Sequence, residues 1–210
     1  PYYQKKFNQL GINPEDVRTR EDLERLPILT KQEVKKIPYD FIPEDLSQQD
    51  YLSRSTGGST GLPLHYRISK YDHLMSGCLL YRGWSHAGYC LGDKMVFLGG
   101  ASLGVGKNQK IIETIKDCGR NITKLSSFEM SDETMLQYRQ TINTLQPKYI
   151  RGYPSSLFFF SKWLHENNLS IFSPTAVLTT AEKLSDKMRT RISEVFNCPV
   201  YEAYGLNDGG

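Results

Sequence analysis

The chain has 210 residues, of which 39% are hydrophobic and 11% aromatic, enough to bury one substantial core, or a core with a small appendage, and too much for a disordered chain. With 26 lysines and arginines against 23 acidic residues, the net charge of +3 gives no general drive toward nucleic acid or a membrane surface, and neither partner is expected. Cys78, Cys90, Cys118 and Cys198 are scattered, with no Cys-x-x-Cys pair and no histidine spacing of a zinc site, so buried free thiols in a reducing, cytoplasmic setting are expected. There is no 18-residue apolar run and no basic-then-apolar start, so neither a membrane span nor a secretory signal is indicated.

Residues 1–50 are rich in charge and proline, and Pro27, Pro38 and Pro43 divide them into short helical pieces that read as a wrapping segment. Thr30 followed by Glu33 predicts a capping box that opens a helix through Lys36. A glycine-rich segment at 55–61 comes next, then an extended piece, Pro63 to Ile68. Leu74, Cys78, Tyr81 and Trp84 predict a helix of four or five turns from Ser69 to about His86.

Further on, β-branched or apolar runs begin near Lys94, Asn121, Lys148, Thr175 and Pro199, with starts 27, 27, 27 and 24 residues apart. Helical spacing fills the intervals: Ile111, Ile112, Ile115 and Cys118; Leu136, Tyr138, Ile142 and Leu145 behind a start at Ser131; Leu157, Phe160 and Leu164; Met188, Ile192, Val195 and Phe196. Strand, helix, strand at about 25 residues per step predicts right-handed parallel crossovers, hence an α/β fold for 51–210: a layered parallel sheet flanked by helices. Ligands of such sheets sit beyond the carboxyl ends of the strands. That rule singles out Gly99 to Gly106, Arg151 to Ser155, Thr179 to Lys183 and Tyr204 to Gly209, which should converge on one edge.

The run Ser55-Thr56-Gly57-Gly58-Ser59-Thr60-Gly61 packs three glycines and four hydroxyls into seven residues. Glycines let backbone N–H groups approach phosphate oxygens and hydroxyls add donors, so the run suits a polyphosphate. It is not a Walker loop, because Leu62-Pro63 stands where lysine and a hydroxyl residue are needed, and it is not Gly-x-Gly-x-x-Gly. A flexible linker has a similar composition. The order of loop, extended piece and helix favours the phosphate reading.

Ser55 to Leu64, STGGSTGLPL, resembles the phosphate-binding signature of the adenylate-forming acyl-CoA synthetases, with Leu62 where the family has lysine. Tyr201 to Asp208, YEAYGLND, resembles that family's Tyr-Gly-x-Thr-Glu signature, with asparagine and aspartate for threonine and glutamate. Thr179-Thr180-Ala181-Glu182 is similar to the segment that lines the adenine pocket. The N-terminal YYQKKFNQLGINPEDVRTREDLERLPILTK and RGYPSSL resemble the phenylacetate-CoA ligase branch, with its capsule-biosynthesis and coenzyme F390 synthetase relatives.

The resemblance implies the N-terminal large-domain fragment of a ligase that activates a carboxylic acid, such as an aryl acid, with ATP and Mg²⁺ and passes it to coenzyme A. Ser55 to Gly61, Ala181, Glu182, Ala203, Tyr204 and Gly205 would bind nucleotide, Tyr204 beside adenine. Asn207 would contact the α-phosphate and Asp208 would hold Mg²⁺. Transfer of AMP to another acceptor and a non-catalytic capsule-locus homologue are the alternatives. The family's catalytic lysine and ribose-binding aspartate lie beyond Gly210, so a downstream C-terminal domain is expected and the 210 residues alone are expected to lack full activity; a homodimer is left open.

Other residues weigh less. Gly99 to Gly106 reads as a permissive turn or a pocket wall. Tyr153 could wall an acyl pocket, while Pro154 suits a first helical turn. Phe158, Phe159 and Phe160 read as core, and His65, His73, His86 and His165 as structural or solvated. Lys183 and Arg151 read as surface charges that could contact an anion.

Overall fold

A computed structural model describes residues 1–48, 50–55, 64–100, 115 and 117–203, with the side chain of Gln48 left aside. The chain divides into two compact units, Pro1–Met75 and Ser76–Gly210. The division falls at 75 and not at the compositional change near 50, because the first unit also takes in a strand hairpin and the start of a long helix.

In the first unit, α1 (Tyr2–Leu10) ends at Gly11, whose φ of 63° supplies the left-handed cap that a side chain resists. α2 (Lys31–Lys36) opens with the expected capping box: the Glu33 N–H donates to Thr30 Oγ1 at 3.2 Å and the Thr30 N–H to Glu33 Oε2 at 2.9 Å. Short 3₁₀ turns separate these helices, and Tyr2 stacks on Phe41 with ring centres 4.3 Å apart. β1 (Tyr51–Ser55) then pairs antiparallel with β2 (His65–Ser69), from Tyr51 opposite Ser69 to Ser55 opposite His65. Sequence reasoning expected only the second of these strands as an extended piece.

α3 (Lys70–Ser85) begins in the first unit, with Ser69 Oγ accepting the Asp72 N–H at 2.9 Å, and ends in the second.

The second unit contains the predicted layered fold. Its sheet holds β3 (Met95–Gly99), β4 (Ile122–Ser126), β5 (Tyr149–Gly152), β6 (Ala176–Thr179) and β7 (Val200–Glu202), all parallel, in the order β4-β3-β5-β6-β7. α4 (Asp132–Leu145), α5 (Pro154–Glu166) and α6 (Asp186–Phe196) fill the connections after β4, β5 and β6.

Strand alternation divides two cores. Val96, Leu98, Ile150 and Val177 point to one face, where Met135, Tyr138 and Ile142 of α4, Leu157, Phe160 and Leu164 of α5, and Ile192 and Phe196 of α6 bury them. Met95, Tyr149, Ala176 and Leu178 point to the other, against Trp84, Ala87 and Tyr89. Burying the larger of these apolar side chains stabilises the fold by roughly 1.5–3 kcal/mol each. The Tyr149 hydroxyl, shut off from water, donates to the Ala87 carbonyl at 3.1 Å.

Two expectations need correction. Phe159 is 48% exposed, because a helix that buries Leu157, Phe160 and Leu164 turns the intervening position outward. Phe160 is core and Phe158 half-buried. Of the cysteines only Cys198 is buried; Cys78, Cys90 and Cys118 are exposed.

Candidate functional site

All five strands of the second sheet run the same way, so their carboxyl ends share one edge. From β3 the chain moves outward to β4; from β5 it moves in the opposite direction to β6 and β7. Neighbouring β3 and β5 therefore flank the switch point, where the departing connections diverge and leave a crevice.

Both strands end in glycine. A β-carbon on Gly152 would lie 2.6 Å from the Leu98 carbonyl oxygen, and one on Gly99 would meet the Phe97 ring at 2.7 Å and closer. A β-carbon on Gly100 would stand 3.1 Å from Phe128 and 3.4 Å from the Tyr153 hydroxyl. At Gly152 the Leu98 backbone and the Leu157 side chain fill the space a β-carbon would need, and at Gly99 and Gly100 aromatic side chains do, so these strand ends are closely packed.

Hydrogen bonds bind the neighbouring strand ends together. The Thr180 N–H donates to the Gly152 carbonyl at 3.2 Å and the Ala203 N–H to the Thr179 carbonyl at 3.0 Å. Pro154 occupies the first turn of α5 and Tyr153 caps it without a side-chain bond; instead Glu182 Oε2 accepts the Ser155 N–H at 3.0 Å. The carboxylate thus caps a helix from the following loop, where the dipole also favours negative charge. Ala181 before it holds φ at 68°, a left-handed backbone that costs an L-residue roughly 1–2 kcal/mol. Glu202 braces the same loop: Oε1 accepts the Leu184 N–H at 3.1 Å and Oε2 lies 3.4 Å from Arg189 Nη2.

Of the expected nucleotide-binding residues, Ala181, Glu182 and Ala203 lie at this edge. Ser55 ends β1, where it pairs with His65 of β2. Thr56, Gly57, Gly58, Ser59, Thr60, Gly61, Tyr204, Gly205, Asn207 and Asp208 lie outside the described residues, as do 101–106 of the expected β3 turn. Among the described residues no group of three or more His, Cys, Asp and Glu side chains could hold a metal ion. The four histidines are exposed, with His73 Nε2 3.2 Å from Arg54 Nη2. Lys183 is exposed.

Arg151 departs from its expected place as a surface charge. It points to the Trp84 side of the sheet, its guanidinium carbon 4.8 Å from the Trp84 ring centre and 4.9 Å from that of Phe97. Its Nε is sealed from solvent without a hydrogen-bond partner among the described residues. Burial pulls its pKa below the ordinary arginine value, with Tyr153 and Tyr81 opposing the shift. The signal that could have found it is its position, next to last in a strand that ends at a ligand edge. A groove of about 550 Å³ lies elsewhere, on the solvent side of α5 and α6, lined by charged residues such as Lys162, Glu166, Lys187 and Arg191.

No protein-family model matches the chain. It is 28% identical to Protein CapK of Staphylococcus aureus over 191 residues, 90% of this chain and 42% of that protein. It is 24% identical to the phenylacetate-coenzyme A ligase of Escherichia coli K12 over 219 aligned positions, 99% of this chain and 47% of that enzyme. The fold superposes on 2-hydroxyisobutyryl-CoA ligase, solved with its acyl-AMP and CoA, with a TM-score of 0.70 at 19% identity, over 98% of this chain and 45% of that one. The chain is similar to proteins of the phenylacetate-CoA ligase branch of the adenylate-forming enzymes. It spans less than half the length of the two curated relatives. A luciferase-like enzyme from Zophobas morio shares the fold more distantly, with a TM-score of 0.51 at 16% identity, over 92% of this chain and 42% of that one. Among the described residues no helix is long and apolar enough to cross a membrane.

Proposed function

We propose that the intact protein is an AMP-forming ligase that activates a carboxylic acid with ATP and transfers the acyl group to coenzyme A. The observation that carries the reading is the switch point between β3 and β5, at the carboxyl edge that also holds Ala181, Glu182 and Ala203. The likeness to a ligase solved with acyl-AMP and CoA supports it.

A carboxylate is a poor electrophile because attack on it must expel oxide. In the proposed reaction a carboxylate oxygen attacks the α-phosphorus of ATP, a new P–O bond forms, and the bond to the β-phosphate oxygen breaks, so pyrophosphate leaves with its electron pair. A thiol then attacks the acyl carbon and AMP departs. Ser55 to Gly61 would cradle the outer phosphates, Ala181, Glu182, Ala203 and Gly205 would line the adenine site with Tyr204, and Asn207 would reach the α-phosphate. Mg²⁺ held at Asp208 would offset polyphosphate charge. An aryl acid, a cytoplasmic setting and small-molecule partners alone go with this reading.

The test is acid-dependent ATP–pyrophosphate exchange by the intact protein across a panel of aryl and alkyl acids. Exchange with at least one acid is expected, and none across the panel would reject the reading. The similarity to Protein CapK favours a second reading, a capsule-associated homologue that binds nucleotide without turnover. Nucleotide binding without exchange would select it. A stable AMP adduct in place of a thioester would instead select transfer to another acceptor, as in the coenzyme F390 synthetase relatives.

A further inference from the structure

Arg151 occupies a position where an arginine is costly. Arg151 is half-buried; on its face of the sheet Leu178 stands beside it and Met95, Tyr149 and Ala176 lie toward the strand starts, all four buried. Two aromatic rings, Trp84 and Phe97, stand within 5 Å of the guanidinium carbon and offset part of its lost hydration. No carboxylate pairs with it among the described residues, and its Nε is sealed from solvent without a hydrogen-bond partner there. Buried cations are ordinarily completed by an anion. Here the described residues supply the rings that hold the cation and no anion for it.

The location says from where. Arg151 stands opposite Phe97 in the β3–β5 register, one residue before Gly152 and two before Tyr153, whose ring meets Phe97 edge-on with centres 6.3 Å apart. That is the carboxyl end of the two strands that flank the switch point, beside Gly152.

Resting on the ligase reading above, we propose that Arg151 is the counter-ion for the far end of the activated acid, so that the substrate class is a dicarboxylic acid or an acid with an equivalent terminal anion. A planar guanidinium held against rings matches a carboxylate through two parallel hydrogen bonds. The reacting carboxylate is the wrong partner. It loses its charge as the P–O bond forms, so a strong ionic contact there would stabilise the ground state more than the transition state. A contact to a distant carboxylate is unchanged through the reaction and selects the substrate without opposing the step.

Exchange kinetics on the intact protein decide this, with adipate against hexanoate and 1,4-phenylenediacetate against phenylacetate, in wild type, Arg151→Gln and Arg151→Lys. Wild type is expected to favour each diacid by about tenfold or more in kcat/KM. Arg151→Gln should bring the ratio near one, mainly by raising KM for the diacid, and Arg151→Lys should fall between. Equal use of mono- and diacids by wild type would overturn the proposal, as would an undiminished ratio in Arg151→Gln or an effect confined to KM for ATP. If Arg151→Gln does not fold, the wild-type ratio decides alone. If no acid supports exchange, the ligase reading fails, and calorimetric titration of adipate and hexanoate then decides the anion site. Adipate binding that weakens in Arg151→Lys upholds it, and the absence of adipate binding to wild type overturns it.

Discussion

Glu182 is solvent-exposed, yet its carboxylate closes the amino end of α5 from a different loop. Glu182→Ala should therefore lower stability by about 1 kcal/mol, while Glu182→Gln, whose amide oxygen can still accept, should retain most of it. Thermal unfolding of the two variants checks this, and equal melting temperatures would remove the cap. The strain at Ala181 has the same test: Ala181→Val places a β-branched residue at φ 68° and should cost more than about 1 kcal/mol. Burial pushes the Cys198 thiol up to about 11. An aromatic disulfide reagent at pH 8 should thus modify Cys78, Cys90 and Cys118 quickly and Cys198 only on unfolding. Fast reaction of all four thiols would contradict the packing around Cys198. Residue identity and order were enough to place Ala181, Glu182 and Ala203 at the strand edge. They were silent on what Glu182 binds, because a cap from a distant loop depends on tertiary approach and leaves no local spacing.

At the scale of elements, the register of β3 against β5 depends on Gly152. Gly152→Ala forces a β-carbon to 2.6 Å from the Leu98 carbonyl, and either the strands part or α5 moves, at a cost of about 2 kcal/mol. The turn into β3 carries a pH signature. The Lys148 ammonium, at 2.9 Å, and then the Cys90 N–H hold the Asp93 pKa below the ordinary carboxylate range, while Asp93 raises that of Lys148. The depressed Asp93 pKa gives stability that is present above the unfolded value of about 3.9 and lost as pH falls through the folded one. The raised Lys148 pKa gives stability that is lost only as pH climbs through its folded value. The melting-temperature gap between wild type and Asp93→Asn should accordingly be open at pH 7 and close below about pH 4; a gap independent of pH would exclude the charge as its cause. Periodicity made the five parallel strands and α4 to α6 legible, because each packs one face or two against a core; it also found α3, although of Leu74, Cys78, Tyr81 and Trp84 only Trp84 is buried. It missed β1, whose Tyr51 to Ser55 has only Leu52 half-buried and so shows no alternation of apolar and polar residues.

For the whole molecule, the parallel sheet and its ligand edge followed from the even spacing of strands, while the two-unit division at 75/76 did not, since the β1–β2 hairpin belongs by contact to a segment of different composition. Arg151 was legible as a cation and illegible as a half-buried one held by rings, because only assembly of β3, β5 and α3 brings Phe97 and Trp84 against it. The central claim is acid activation at the carboxyl edge of this sheet. It is tested most directly by ATP–pyrophosphate exchange on the intact protein with mono- and dicarboxylic acids side by side. The account predicts acid-dependent exchange that favours the diacids; no exchange with any acid of either class would contradict it.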